Sequence, residues 1–244
     1  MKKLFFLFLR LIFLGIMVSV FNYTTILAQT QEIKPIDQEI TITDLVIEEE
    51  QEALKVDMVF PLVQGLKDKQ VEEKINQIIQ EEIINFKNQL QTESEEYLKS
   101  AKSEEWEIRK YIATTYYIVH YQKDDLLSLS VFYYSYTLGA HGYTLQRTYN
   151  FNLINGEVIL LGDIFKENKD YIDVINQEIK RQINLNPQEY FSEWSVFQSI
   201  SQEQPFYFIE DGIVVYFGLY EIAPYASGIR YFKIPYFLFG NSYG

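Results

Sequence analysis

The chain has 244 residues, 48% of them hydrophobic and 16% aromatic, enough to bury the core of one large domain or two small ones. Its 21 basic and 34 acidic residues leave a formal charge of −13, a field that repels nucleic acid, whose binders neutralise phosphates with Lys and Arg, and that draws in cationic partners. Without a cysteine there is no disulfide, no lipobox, no thiol nucleophile and no thiolate metal site.

MKKLFFLFLR is basic at its start, LIFLGIMVSVF is apolar, and NYTTILA is polar and ends in alanine. This three-part plan reads as a secretory signal peptide over residues 1–28, cut after Ala28. The alternative is an uncleaved membrane anchor over residues 4–21, since Leu4 to Phe21 is interrupted only by Arg10 and approaches the roughly 20 residues of a spanning helix. Lys2 and Lys3 keep the N-terminus cytoplasmic in either case. The rest of the chain is therefore expected outside the cytoplasm, secreted or attached to the outer face of the membrane. Cleavage removes Lys2, Lys3 and Arg10 and leaves 18 basic against 34 acidic residues, a formal charge of −16.

Residues 29–38 read as a linker into an N-terminal domain, 39–140. ITITDLVI and ALKVDMVFPLV are strands around the polar turn EEEQE, and Pro61 suits the end of an edge strand because it cannot donate to a ladder. Val71, Ile75, Ile79, Ile83, Phe86 and Leu90 recur at helical spacing with Glu and Lys on the other face. QTESEEYLKSAKSEEWE continues as polar helix or loop. YIATTYYIVHYQ and LLSLSVFYYSYT then form a hairpin across KDD.

The C-terminal domain, 141–244, repeats this order. YTLQRTYNFNL alternates, with Tyr143, Leu145, Tyr149, Phe151 and Leu153 on one face. Asn155-Gly156 is a hairpin signal, from which EVILLGDIF is expected to return as a paired strand. A helix follows on Tyr171, Ile175, Ile179 and Ile183. A loop around Pro187 and Trp194 leads to FYFI, a turn at Glu210-Asp211-Gly212, GIVVYFGLYEI, and a last strand in IRYFKIPYFLF. The expected fold class is α+β: two strand-strand-helix-strand-strand halves, antiparallel sheets each covered by a helix.

Three stretches of the second half, YTLGAHGYT (136–144), TYNFNLINGEVILLGDIF (148–165) and EDGIVVYFGLYEIAPYASGIRYFKIPY (210–236), carry a family resemblance. The chain resembles the paired extracytoplasmic domains of unknown function that form the outer part of the anti-sigma-V factor (RsiV-like). The same pair precedes the catalytic domain of some peptidoglycan deacetylases (PdaC-type). The likeness covers about residues 35–240, with Leu138 where the family usually has another glycine and Asn152 where it usually has Asp. It implies a sensor or recognition module, here expected without a sigma-binding segment or a deacetylase domain, and a strongly basic partner, lysozyme.

Catalytic chemistry is poorly represented. There is no HExxH and no G-x-S-x-G elbow, and the only histidines are His120 and His141. His120 reads as a sheet-surface residue in an alternating strand. His141, flanked by Gly139 and Gly142, is either pinned in a tight turn or offered as a base or ligand. Asp163 and Glu221 could form a carboxylate pair for glycoside hydrolysis. Against that, Asp163 suits a turn or helix cap, and Glu221 a buried partner for Arg230, Arg147 or backbone amides.

In YEIAPYASG, Pro224 ends the strand and Gly228 permits positive φ. The segment is a sheet-closing corner or a tyrosine-lined groove. His141, Glu221, Tyr220 and Tyr225 are accordingly the candidate binding residues, with no catalytic residue, metal or cofactor expected. The expected role is a non-enzymatic extracytoplasmic module that recognises a basic protein such as lysozyme, with cell-wall glycan binding or processing as the alternative.

Overall fold

A five-stranded sheet comes first in the computed structural model, which describes residues 40–165, 170–191 and 197–240. The signal-peptide or anchor reading of 1–28 and the linker 29–38 lie outside the described residues. Strands β1 (Thr41–Glu50), β2 (Leu54–Gln64), β3 (Tyr111–Lys123), β4 (Leu126–Tyr136) and β5 (Tyr143–Asn152) lie in that spatial order. Helix α1 (Lys69–Ser103) crosses between β2 and β3, which therefore pair in parallel while every other pair is antiparallel.

The sequence starts and extends α1 for visible reasons. Asp68 caps it, accepting from Gln70 N at 2.9 Å, as short acidic side chains do at an N-cap. Val71, Ile75, Ile79, Ile83 and Leu90 are buried along one stripe against Leu54, Val56 and Met58 of β2 and Leu127, Leu129 and Val131 of β4. The polar continuation from residue 91 is helical through Ser103, supported by i,i+4 amide–carboxylate bonds such as Gln91 to Glu95 at 3.0 Å. Buried Asn76 clamps β2, bonding both N and O of Val63 at 2.8 Å.

After β5 the chain differs from the expected hairpin. Only Phe151 and Val158 form a bridge, and the short helix α2 (Leu161–Ile164) then turns the chain away. The cause is burial: Leu161 and Phe165 belong to a second core and cannot stay at the sheet edge. That core lies between helix α3 (Tyr171–Ile183) and a three-stranded antiparallel sheet of β6 (Phe206–Ile209), β7 (Gly212–Phe217) and β8 (Arg230–Pro235). The α+β class stands, with one mixed and one antiparallel sheet, each backed by a helix. β5, which a boundary at 140/141 puts in the C-terminal domain, is a strand of the first sheet.

The two cores have no residue in common. The face of β4 and β5 turned away from α1 carries Ser128, Ser130, Gln146, Thr148 and Asn150, and the second sheet docks on it. Asn150 Nδ2 donates to Phe206 O at 3.0 Å, and Ser128 Oγ accepts from Phe208 N at 3.0 Å. Side chains of one sheet thereby satisfy the open backbone edge of β6, as buried polar groups require.

Candidate functional site

Two turns meet beside this seam. The β4–β5 turn brings Leu138, His141 and Gly142; the β7–β8 connection brings Gly218, Tyr220, Glu221, Pro224 and the 3-10 turn Tyr225–Ser227. The Tyr225 hydroxyl donates to Gly142 O at 2.8 Å, and the His141 ring stacks on Tyr225 with centroids 4.0 Å apart and planes at 26°. Tyr220 stands 5.6 Å from Tyr225, tilted by 36°. His141 Nδ1 lies 2.9 Å from Gly142 O, so it carries the donated proton and leaves Nε2 as the free ring nitrogen.

Both turns hold a bulky residue in the left-handed region: Leu138 at φ 66° and Tyr220 at φ 67°. For an L-residue this conformation costs about 1–2 kcal/mol, and such strain concentrates at ligand-binding positions. At Tyr220 it holds out a ring that is 53% exposed. Gly142 allows a close approach: a Cβ there would lie 2.4 Å from the outer end of the Tyr134 ring, which would have to move. Gly218 leaves room for the Glu221 carboxylate, whose Oε1 would sit 2.9 Å from a Cβ.

The structure thus brings His141, Tyr220 and Tyr225 together, with Glu221 on the same connection as the tyrosines. The buried pairing expected of Glu221 is corrected. Glu221 is exposed, while Arg230 binds Glu189 and stacks 4.7 Å from the Tyr190 ring, and Arg147 binds Glu82 at 3.0 Å. Among the described residues no cation reaches Glu221. Asp163 takes the capping role, accepting from Leu160 N at 3.0 Å.

His120 is also corrected. A bulge between Val119 and Tyr121 turns it into the seam, where its ring stacks on Tyr207 at 3.7 Å and Nε2 lies 2.8 Å from Ser130 Oγ. Burial pushes the imidazole down to about 4. The spacing suits a base and nucleophile, but Ser130 is fully buried and its hydroxyl is shared with Thr148 and Gln146. This is an interface network, extended by Thr148 to Tyr216 at 3.1 Å and by Tyr231 to Gln146 at 2.7 Å. No group of three or more His, Asp or Glu among the described residues is arranged to hold a metal.

The sequence marks Gly142 as a flank of the His141 turn, but not its contact with Tyr134 or the positive φ of Leu138. The doubled glycines of GAHG were the available signal for a close approach.

A mixed sheet and an antiparallel sheet, each backed by a helix and docked through a polar layer, can be set beside known proteins. The model described as Deacetylase PdaC matches residues 47–144, and that of a protein of unknown function, DUF3298, matches residues 162–237. The chain has the RsiV/PdaC-like paired domain architecture. It is 29% identical over 204 residues to the anti-sigma-V factor RsiV of Bacillus subtilis, covering 80% of this chain and 67% of RsiV. It is 28% identical over 119 residues to the peptidoglycan-N-acetylmuramic acid deacetylase PdaC of the same organism, covering 47% of this chain and 25% of the deacetylase.

A DUF3298-family crystal structure from Bacteroides fragilis has the same fold, with a TM-score of 0.67 at 21% identity over 85% of this chain and 95% of that one. Another from Pseudomonas aeruginosa gives 0.59 at 17% identity over 83% and 93%. β5 falls mostly between the two matched segments and belongs structurally to the first sheet.

Proposed function

We propose that this chain is a non-enzymatic, extracytoplasmic sensor-type module that recognises a basic protein, lysozyme being the case to test, through the corner of His141, Tyr220, Glu221 and Tyr225. The observation that carries the reading is the exposed Tyr220 ring, held at positive φ beside an unpaired carboxylate and the His141–Tyr225 stack. The net negative charge supports a cationic partner and fast encounter, and similarity to an anti-sigma factor supports a sensing role. Export rests on the N-terminal leader pattern, so the processed protein should begin at Gln29.

Calorimetric titration with lysozyme at low and physiological salt tests the partner. Binding should weaken as salt screens the opposed charges, and Glu221→Gln should weaken it about three- to tenfold. Absence of heat at either salt removes lysozyme.

The second reading is binding of cell-wall glycan, favoured by the flat His141–Tyr225 platform and the PdaC-type domain. Sugar stacking on aromatic faces is insensitive to salt, so co-sedimentation with purified peptidoglycan at high salt separates the two. Retention unchanged in a folded Tyr225→Ala variant excludes the corner as the glycan site.

A further inference from the structure

The two edges of the five-stranded sheet are treated differently. β1 carries Asp44, Glu48, Glu49 and Glu50, charges of the kind that stop a sheet from recruiting another strand. The outer edge of β5 has no such guard. Tyr143 is 43% and Leu145 37% exposed at the start of β5, and Val158 and Leu160 are exposed near its other end. Arg147, the single charge on β5, is engaged by Glu82 at 3.0 Å.

The chain that would have covered this edge leaves after the Phe151–Val158 bridge. Ile159 N donates to Asn150 O at 2.7 Å, and the Tyr216 hydroxyl donates to Gln146 O at 3.3 Å. The even-numbered residues of β5 therefore point their backbone groups outward, and by the alternation of an antiparallel ladder Thr144 does the same. Farther along the edge, between β5, residues 158–161 and residues 203–206, lies a cavity of about 190 Å³. Gln146, Arg147, Thr148, Leu160, Glu203 and Tyr216 are among its walls, the Arg147 charge being taken up by Glu82. Glu203 is exposed, and no cation among the described residues pairs with it.

We propose that the outer edge of β5 is a docking site for an extended segment of a partner protein, which adds as a sixth strand along Tyr143–Gln146 and sends a basic side chain into this cavity toward Glu203. Main-chain bonds to Thr144 N and O and to the Gln146 N–H hold the segment, the Gln146 carbonyl being taken by Tyr216, and pockets for alternate side chains select it, as in strand addition generally. Tyr143 and Leu145 lie on one face and call for apolar residues at alternate positions. The cavity's volume admits one long side chain, and because Arg147 is paired with Glu82 the uncompensated charge in its walls is Glu203, so the anchor is Lys or Arg. A second copy of this chain is a poor occupant, because two strongly acidic molecules repel. The proposal is independent of the corner: it uses neither His141 nor the tyrosines around it.

The probe is an acetylated, amidated hexapeptide, Thr-Val-Arg-Val-Thr-Val, with a counterpart carrying Glu in place of Arg. The Arg peptide should bind the exported chain and slow amide exchange at Thr144 and Gln146, and the Glu peptide should bind about tenfold more weakly. Leu145→Lys, at an exposed position and checked for unchanged circular dichroism and melting, should abolish binding by charging the edge. Glu203→Gln should narrow the preference for Arg to about twofold. Unchanged exchange at millimolar Arg peptide, or equal binding to Leu145→Lys, overturns the proposal. So does a peptide-free dimer that Leu145→Lys dissociates, since the edge would then belong to a second copy.

Discussion

Tyr220 is the residue where stability and recognition pull in opposite directions. Its positive φ is a cost that Asn tolerates better than an aromatic side chain. Tyr220→Asn should therefore raise stability by about 0.5–1 kcal/mol, seen as a higher melting temperature, while weakening the partner bound at the corner. A variant that is more stable and binds with undiminished affinity would show that the exposed ring is not part of the contact. Gly142 stands at the other end of this balance. It lets Tyr134 and the His141 turn approach closely, and its carbonyl holds both Tyr225 and the imidazole.

The bulge in β3 delivers His120 to the second sheet and makes that contact sensitive to acid. The imidazole titrates near 4 in the folded chain because burial penalises its charged form, against about 6.5 when unfolded. The unfolded state therefore binds the proton first as pH falls. Stability attributable to this group is intact above about pH 6.5 and declines toward pH 4. After allowance for partial solvent access the loss is about 1–2 kcal/mol. Denaturant midpoints between pH 7 and 4.5 should fall less steeply in His120→Gln than in the parent, and parallel slopes would discard the assignment.

Much of the element list was legible because alternation and helical spacing report which face of a segment is buried. α1, the KDD hairpin and the three late strands follow from that. Pairing partners are another matter, since the alternation of β2 is the same whether β3 lies parallel or antiparallel beside it. Residues 157–165 misled for a related reason: Val158, Leu160 and Leu161 suit a strand, but the second core takes Leu161 and Phe165 and draws the chain off the sheet after the Val158 bridge. At the corner, the glycines and Pro224 marked turns, but the contact of His141 with Tyr225 joins connections far apart in the chain and has no local signature.

At the scale of the whole molecule, two apolar cores are held together by a polar layer. Asn150 ties Ser128 to the backbone of β6. Asn150→Ala leaves a buried carbonyl and hydroxyl short of partners and should cost about 1–3 kcal/mol. The cost should appear chiefly as faster native-state hydrogen exchange in β6 and β7, with β3 and β4 less affected. Uniform acceleration across both sheets would mean that the halves open only together.

The parallel pairing of β2 with β3 also bears on how the molecule comes to exist. Leu54 finds Tyr111 only after the whole of α1 has been made and has folded across. Loop-closure entropy must be met before that contact returns any stabilisation, and non-local strand pairs are slow for this reason. A chain that emerges N-terminus first therefore has β1 and β2 as a lone hairpin, marginally stable in water, until β3 arrives. The Glu-rich run of β1 is then more than protection for the finished sheet: it keeps the waiting hairpin from recruiting a stranger during that interval.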